Sequence, residues 1–189
     1  MNEAQTDIKL VLPDLSFRER YEDMMEEWLA FGGRLHPGAL RNNGAPYETW
    51  LRWMEEDRHE GTCPEGAVPQ TFYFAVHNGR LLGAVTIREN LNADFYLDGG
   101  NVGYGVRPSE RKKGYAKTML QLALNKLAET GVYDVLLTCA EDNIGSENTM
   151  RACGAIYENT VINRNSEKIK RFRIRNKRQT EINSGKMHE

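Results

Sequence analysis

VGYGVRPSERKKGYAKTML (residues 102–120) is the stretch on which the fold turns. An apolar run carrying Gly103 and Gly105 reads as a strand, and Pro108 ends it. A basic cluster follows, Arg111, Lys112 and Lys113, and then Gly114. Beyond it Tyr115, Met119, Leu122, Ala123 and Leu127 recur at helical spacing, and Gly131 closes the pattern. The stretch therefore predicts a strand, a short loop and an amphipathic helix with a glycine and three cations at its mouth. First-turn N–H groups lack intrahelical partners, and the helix dipole adds positive charge there, so the site suits a phosphate. Gly114 lets phosphate oxygens approach the main chain. Each desolvated cation would add a charge-assisted hydrogen bond of roughly 1.5–3 kcal/mol.

Two common phosphate motifs fail on spacing. Nothing supplies G-x-x-x-x-G-K-[ST], and the pair Gly103, Gly105 meets Pro108 where a dinucleotide fingerprint needs its third glycine. Outward from the stretch, the chain predicts a strand at 8–13 and helices from Phe17 to Ala30 and from Tyr47 to Asp57. Residues 59–70 form a Gly/Pro-rich loop. Two strand-like runs joined by His77-Asn78-Gly79-Arg80 come next, Asn-Gly being the strongest short hairpin signal. NLNADFYLDGG (91–100 with its Asn90 start) is turn-rich and could hold irregular strand structure. After the central helix, DVLLTCA reads as a strand covered on both faces. A helix from Ile144 to Cys153 has Asn143 as its N-cap and Gly154 just past its end. AIYENTVIN and KIKRFRIR close the pattern as a hairpin. The domain expected is 1–175, with 176–189 a polar, disordered tail.

Composition excludes several classes. With 40% apolar and 28% charged residues and a net charge of −2, the chain is an ordinary globular one. No apolar run approaches the ~18–20 residues of a membrane span. The N-terminus lacks an export signal, and Cys63, Cys139 and Cys153 form no framework, so a reducing cytoplasm is expected. No histidine or cysteine pairing suggests a metal. Residues 1–70 carry 14 Asp/Glu against 7 Lys/Arg, an acidic half facing a basic one. KIKRFRIRNKR suggests a nucleic-acid strip, but its arginines alternate with Phe172 and Ile174 as on a half-buried strand. No nucleic-acid or membrane partner is expected.

The spacing that fits is R-x-x-G-x-A, Arg111 to Ala116, followed one strand later by Asn143-Ile144-Gly145-Ser146 and then Cys153-Gly154. These two blocks, in this order and context, resemble the GNAT superfamily of acyl-CoA-dependent N-acyltransferases. The wording around them is similar to a bacterial group of predicted acetyltransferases without an assigned acceptor. The resemblance implies an α/β fold with a central mixed, mostly antiparallel sheet of about seven strands flanked by about four helices. It implies acetyl-CoA as co-substrate, a primary amine as acceptor, and transfer by direct attack in a ternary complex. Strands 102–107 and 134–140 would splay apart, with the pantetheine arm pairing to Tyr104 and Val106. Arg111, Lys112, Lys113, Gly114, Tyr115 and Ala116 would hold the pyrophosphate, Asn143 and Ser146 would contact the pantetheine side, and a homodimer would be common.

Two family positions are changed. The usual base, a Glu before the pyrophosphate loop, is Gly100, and the usual acid, a Tyr four residues after the serine, is Met150. Asp98, Asn101 and Tyr104 are the nearest catalytic candidates, with Glu89 facing the same cleft and Tyr157 a second phenol. The Val106 N–H is the expected oxyanion donor. Cys139 could carry an acyl group. The acceptor pocket is expected between the first two helices and the closing hairpin, with Trp28, Phe31, Trp50 and Trp53 as walls and Glu26, Glu27, Glu55 and Glu56 attracting a cationic amine. The missing base and acid also leave open a non-catalytic acyl-CoA sensor.

Overall fold

The computed structural model describes residues 7–176. In chain order it contains β1 (Lys9–Val11), α1 (Arg18–Phe31), α2 (Tyr47–Glu56), β2 (Thr71–His77), β3 (Arg80–Ile87), β4 (Val102–Val106), α3 (Tyr115–Glu129), β5 (Asp134–Ala140), α4 (Ile144–Ala152), β6 (Ile156–Ile162) and β7 (Lys168–Arg175). This is the order that the apolar periodicity predicts. The seven strands divide into two antiparallel sheets, ordered β1-β2-β3-β4 and β5-β7-β6. The hairpin between β2 and β3 turns at Asn78 and Gly79, both with positive φ, as the Asn-Gly signal requires.

The first sheet buries both faces. Against one lie Tyr21, Met24 and Trp28 of α1 and Trp50 and Met54 of α2, packed on Phe72 and Phe74. Against the other lie Met119, Leu120, Ala123, Leu124 and Leu127 of α3, with Met150 of α4. That explains why β3 is buried along nearly its whole length. The second sheet is joined to this core by Val135, Leu137, Phe172 and Ile174.

Two segments differ from the pattern. Residues 95–99 form one turn of π-helix rather than an irregular strand. Tertiary clasps hold it: the Arg88 guanidinium lies 4.0 Å from the Phe95 ring centre, Arg173 donates to the Tyr96 hydroxyl (2.8 Å), and Thr138 Oγ1 donates to the Asp98 carbonyl (2.7 Å). At the other end of the expected domain, Asn176 is anchored, its N–H donating to Tyr133 O (2.8 Å) and its amide to Leu124 O (2.9 Å). The rest of the expected tail, 177–189, lies outside the described residues. Among the described residues no helix is long and apolar enough to cross a membrane.

Candidate active site

β4 and β5 start together and then part. Asn101 fastens the start: its N–H donates to Leu136 O (2.8 Å), its Oδ1 accepts from the Leu136 N–H (2.8 Å), and its Nδ2 donates to Arg88 O (2.9 Å). Both ends of this buried amide are committed, which makes Asn101 a clamp of the seam. Beyond it the strands enter different sheets, and a cleft of about 1720 Å³ opens between them. The Arg107 N–H donates to Leu82 O (2.9 Å), so that residue faces β3. Main-chain groups alternate direction along an antiparallel strand, hence those of Tyr104 and Val106 face the gap.

One end of the cleft is the mouth of α3. Gly114, in the left-handed region (φ 85°), precedes the helix, and no side chain caps it. Lys112, Gly114, Tyr115, Ala116 and Lys117 line the cleft there. The three expected cations separate. Arg111 turns inward, its Nε donating to Val106 O (3.0 Å) and its guanidinium lying over Phe31 (4.7 Å) and Trp28 (5.5 Å). Burial lowers its pKa. Lys113 leaves the cleft lining and pairs with Glu110 (2.9 Å), which also accepts from Arg80 Nε (2.8 Å). Lys112 stays in the mouth, and Lys117 joins it. Lys117 was readable in principle, standing three residues past Gly114 on the first helical turn.

The middle of the cleft is formed by β4 and α4. Asn143 caps α4, its Oδ1 accepting from the Ser146 N–H (3.0 Å). The Tyr104 hydroxyl meets Ser146 Oγ (2.9 Å). Burial pushes the Tyr104 pKa up to about 12, against the lowering effect of the Ser146 hydrogen bond. Met150, at the usual acid position, is buried in the core. Tyr157 bonds Thr160 (2.8 Å) and is not part of the lining. Cys139 lines the cleft, but burial raises its thiol pKa to about 11.

The far end gathers side chains from separate segments. Asp98, on the π-helical turn, accepts from Asn163 Nδ2 (2.9 Å). Asn163 also donates to Glu167 (3.1 Å), and its Oδ1 accepts from the N–H groups of Asn165 and Glu167, which shapes the β6–β7 turn. Glu167 pairs with Arg34 from the loop after α1. Next to Asp98 the chain enters β4 through Gly100, φ 63°, where a Cβ would stand 2.6 Å from Leu136 O. The usual glutamate has no room at that position. Glu89 is exposed and outside the cleft lining.

The acceptor wall expected from both N-terminal helices is corrected by this packing. Trp28 lines the cleft, with Phe31 exposed beside Arg111. Trp50 is core, and no α2 residue lines the cleft. Glu55 pairs with Arg58 (2.7 Å). Glu27 accepts from Arg107 Nε (2.8 Å) and from the Ser109 N–H (2.7 Å), fastening α1 to the loop before α3. Instead of α2, the loop 34–38 closes this side, and with it His36 enters the lining. A lone histidine before a proline gave no spacing signal.

A strand pair opening onto an uncapped, glycine-led helix is the arrangement that the resemblance to acyl-CoA-dependent N-acyltransferases implies. The profile of the acetyltransferase (GNAT) family matches residues 21–155, and the chain belongs to that family. No curated protein matches the chain. Among solved structures it is similar to the microcin C7 self-immunity acetyltransferase MccE in complex with acetyl-CoA and AMP (17% identity, 90% of this chain and 93% of that one, TM-score 0.66). It is also similar to the Salmonella typhimurium acetyltransferase that modifies the N-terminal serine of 50S ribosomal subunit protein L7/L12 (14%, 91% and 96%, TM-score 0.66). A third is the spermidine N-acetyltransferase SpeG chimera from Vibrio cholerae and hSSAT (13%, 90% and 96%, TM-score 0.61). At these identities the likeness concerns the fold.

Proposed function

We propose that this enzyme transfers an acetyl group from acetyl-CoA to a primary amine by direct attack within a ternary complex. The observation that carries the reading is the continuity of one cleft from the uncapped mouth of α3, along the main chain of β4, to the acidic groups Asp98 and Glu167. The residues fit the co-substrate. First-turn N–H groups of α3, with Lys112 and Lys117 beside them, suit a pyrophosphate. The main-chain groups of Tyr104 suit an amide-bearing pantetheine arm.

Acetyl-CoA bound there supplies an activated carbonyl and a thiol leaving group. The Val106 N–H, facing the gap, donates to the carbonyl oxygen as negative charge develops on it. The Tyr104 hydroxyl stays protonated at neutral pH and acts as a proton donor to the departing sulfur. It approaches α4 from β4, so the acid is delivered to the first turn of α4 without a tyrosine at position 150. Asp98 and Glu167 favour a cationic acceptor, with Asp98 receiving its ammonium.

The test is a thermal-shift titration with acetyl-CoA, with ATP and NAD as controls and Gly114→Trp as the blank. Ligand at about 100 times Kd stabilises the wild type by roughly 2.7 kcal/mol, and the variant gains nothing. Thiol release is then followed across spermidine, a serine-initiated peptide and simple alkylamines. Absence of a shift at millimolar acetyl-CoA sinks the reading.

A further inference from the structure

We propose that the His36 imidazole is the general base that takes the proton from the acceptor ammonium. The inference rests on the acetyl transfer proposed above and fills the role that Gly100 vacates.

The sequence around β4 is built to bring His36 there. Gly105 lies directly beneath the residue, and a Cβ at that position would overlap the His36 carbonyl oxygen and approach Trp28 to 3.0 Å. Gly103 leaves the same kind of room for Pro37, whose Cβ would be 3.3 Å away. The two glycines that fail as a dinucleotide fingerprint thus let the His36-Pro37 turn lie on the strand. The turn is fixed from behind as well. The Tyr21 hydroxyl donates to Leu40 O (2.7 Å), Trp50 Nε1 donates to Ala39 O (2.8 Å), and Leu35 and Leu40 are buried. The His36 main chain therefore rests on β4 at Gly105, one residue along from Val106.

His36 lines the cleft, and its ring has no hydrogen-bond partner among the described residues. Asp142 lines the cleft from the turn before α4, and Glu141 beside it pairs with Lys168 (3.3 Å); the other rivals are engaged or outside the lining. Asn101 is committed at both ends, Asp98 accepts from Asn163, Glu167 holds Arg34, and Glu89 lies outside the lining. His36 is exposed to solvent at the cleft, yet partial desolvation by the chain packed around it first, and then Arg34 and Arg41, hold its pKa below the ordinary value and favour the neutral ring. Arg111 lies nearby over Trp28, and the acidic Asp98 and Glu167 share the same end of the cleft. A neutral imidazole at pH 7 accepts a proton. The ammonium proton passes to the ring nitrogen, and the freed amine pair forms the C–N bond. The C–S pair leaves with sulfur, which takes its proton from Tyr104, and the second proton shed by the new amide nitrogen passes through water back to the Tyr104 phenolate. The imidazolium then returns its proton to water, which leaves an amide and CoA.

Two measurements test this. In histidine NMR on the full chain, the resonance lost in His36→Gln titrates below the ordinary midpoint of about 6.5, and acetyl-CoA moves it more than CoA does. An identical response to CoA and acetyl-CoA overturns the inference even where turnover is observed. In kinetics with the best amine of the panel, His36→Gln lowers kcat about 100-fold or more while the Kd for acetyl-CoA stays within about twofold. The acidic limb of the wild-type profile, where activity falls as pH drops through the His36 pKa, disappears in the variant. Added imidazole partly restores His36→Gly. A limb that survives in His36→Gln and vanishes in Asp98→Asn assigns the base to Asp98 instead. Failure of acetyl-CoA to bind the wild type refutes the proposed function itself, and normal binding and turnover with an unchanged His36→Gln profile refutes this inference alone.

Discussion

The two ends of the cleft are built on different terms. The α3 end comes from one continuous stretch, 102–117, and presents the uncapped main-chain N–H groups of a helix start. The acceptor end is assembled from four separate places: the 34–38 loop, the π-helical turn at 95–99, Thr138 on β5 and the β6–β7 turn at 163–167. There side chains bond side chains, as in the Asp98–Asn163–Glu167–Arg34 series. A main-chain site tolerates exchange of its side chains and depends on its glycines and on the helix that presents it. A side-chain site has the opposite sensitivities, and it can be rewired for a new acceptor without disturbing the co-substrate end.

The largest expected effect falls on the tie between the two ends. Arg107 is only 2% exposed, and Glu27 holds it together with the Ser109 N–H. Burial alone would raise the Glu27 pKa, but the hydrogen bonds from Arg107 and Ser109 outweigh it and leave it at about 2. In Glu27→Gln a buried guanidinium keeps only the exposed Asp23 as a charged partner (3.0 Å). A loss of about 3 kcal/mol is expected, the low end for breaking a buried pair, or roughly 6–12 °C in Tm. Because the folded pKa is depressed, this stability is fully present above the ordinary carboxylate value near 4.5 and is lost as pH falls towards 2. The wild-type advantage over Glu27→Gln should therefore shrink across that window in melting curves. A constant difference would mean that the pair contributes by packing and not by charge.

Next comes Gly105→Ala, which strikes the acceptor end through the main chain of β4. The added methyl must displace the His36 carbonyl or the strand, an overpacking cost of about 1–3 kcal/mol. Catalytic rate should fall while acetyl-CoA binding holds. Equal loss of both would show that the ends are coupled through β4 and are not independent.

These differences also govern how much could be read from the sequence. The helix at 115–129, the Asn78-Gly79 turn and the Asn143 cap rest on local rules, and each is found where the pattern puts it. The π-helical turn has no such rule, since it depends on Arg88, Thr138 and Arg173 arriving from distant strands. For the same reason Asn163 passed unnoticed, although it organises the closing turn and reaches Asp98. The α2 carboxylates and tryptophans drew attention by composition, whereas direction decided their role: they face Phe72 and the solvent. Side-chain direction also separated the cations 111 to 113, which the spacing alone presents as equivalent.

That separation supports the smallest prediction. Lys112 and Lys117 line the mouth of α3, and Lys113 is turned to Glu110, itself bridged to Arg80. An exposed cation near a phosphate is worth about 1 kcal/mol or less, so Lys112→Ala and Lys117→Ala should each raise the Kd for acetyl-CoA about three- to fivefold. Lys113→Ala should stay within about twofold, because the helix mouth does not rely on it. The two larger effects should fade as salt shortens the Debye length to about 8 Å at physiological ionic strength, and the Gly114→Trp defect, being steric, should not. Calorimetric titration at low and physiological salt measures all four variants. If Lys113→Ala weakens binding as much as its neighbours do, the Glu110 pair opens when acetyl-CoA arrives, and the co-substrate end depends on a moving side chain after all.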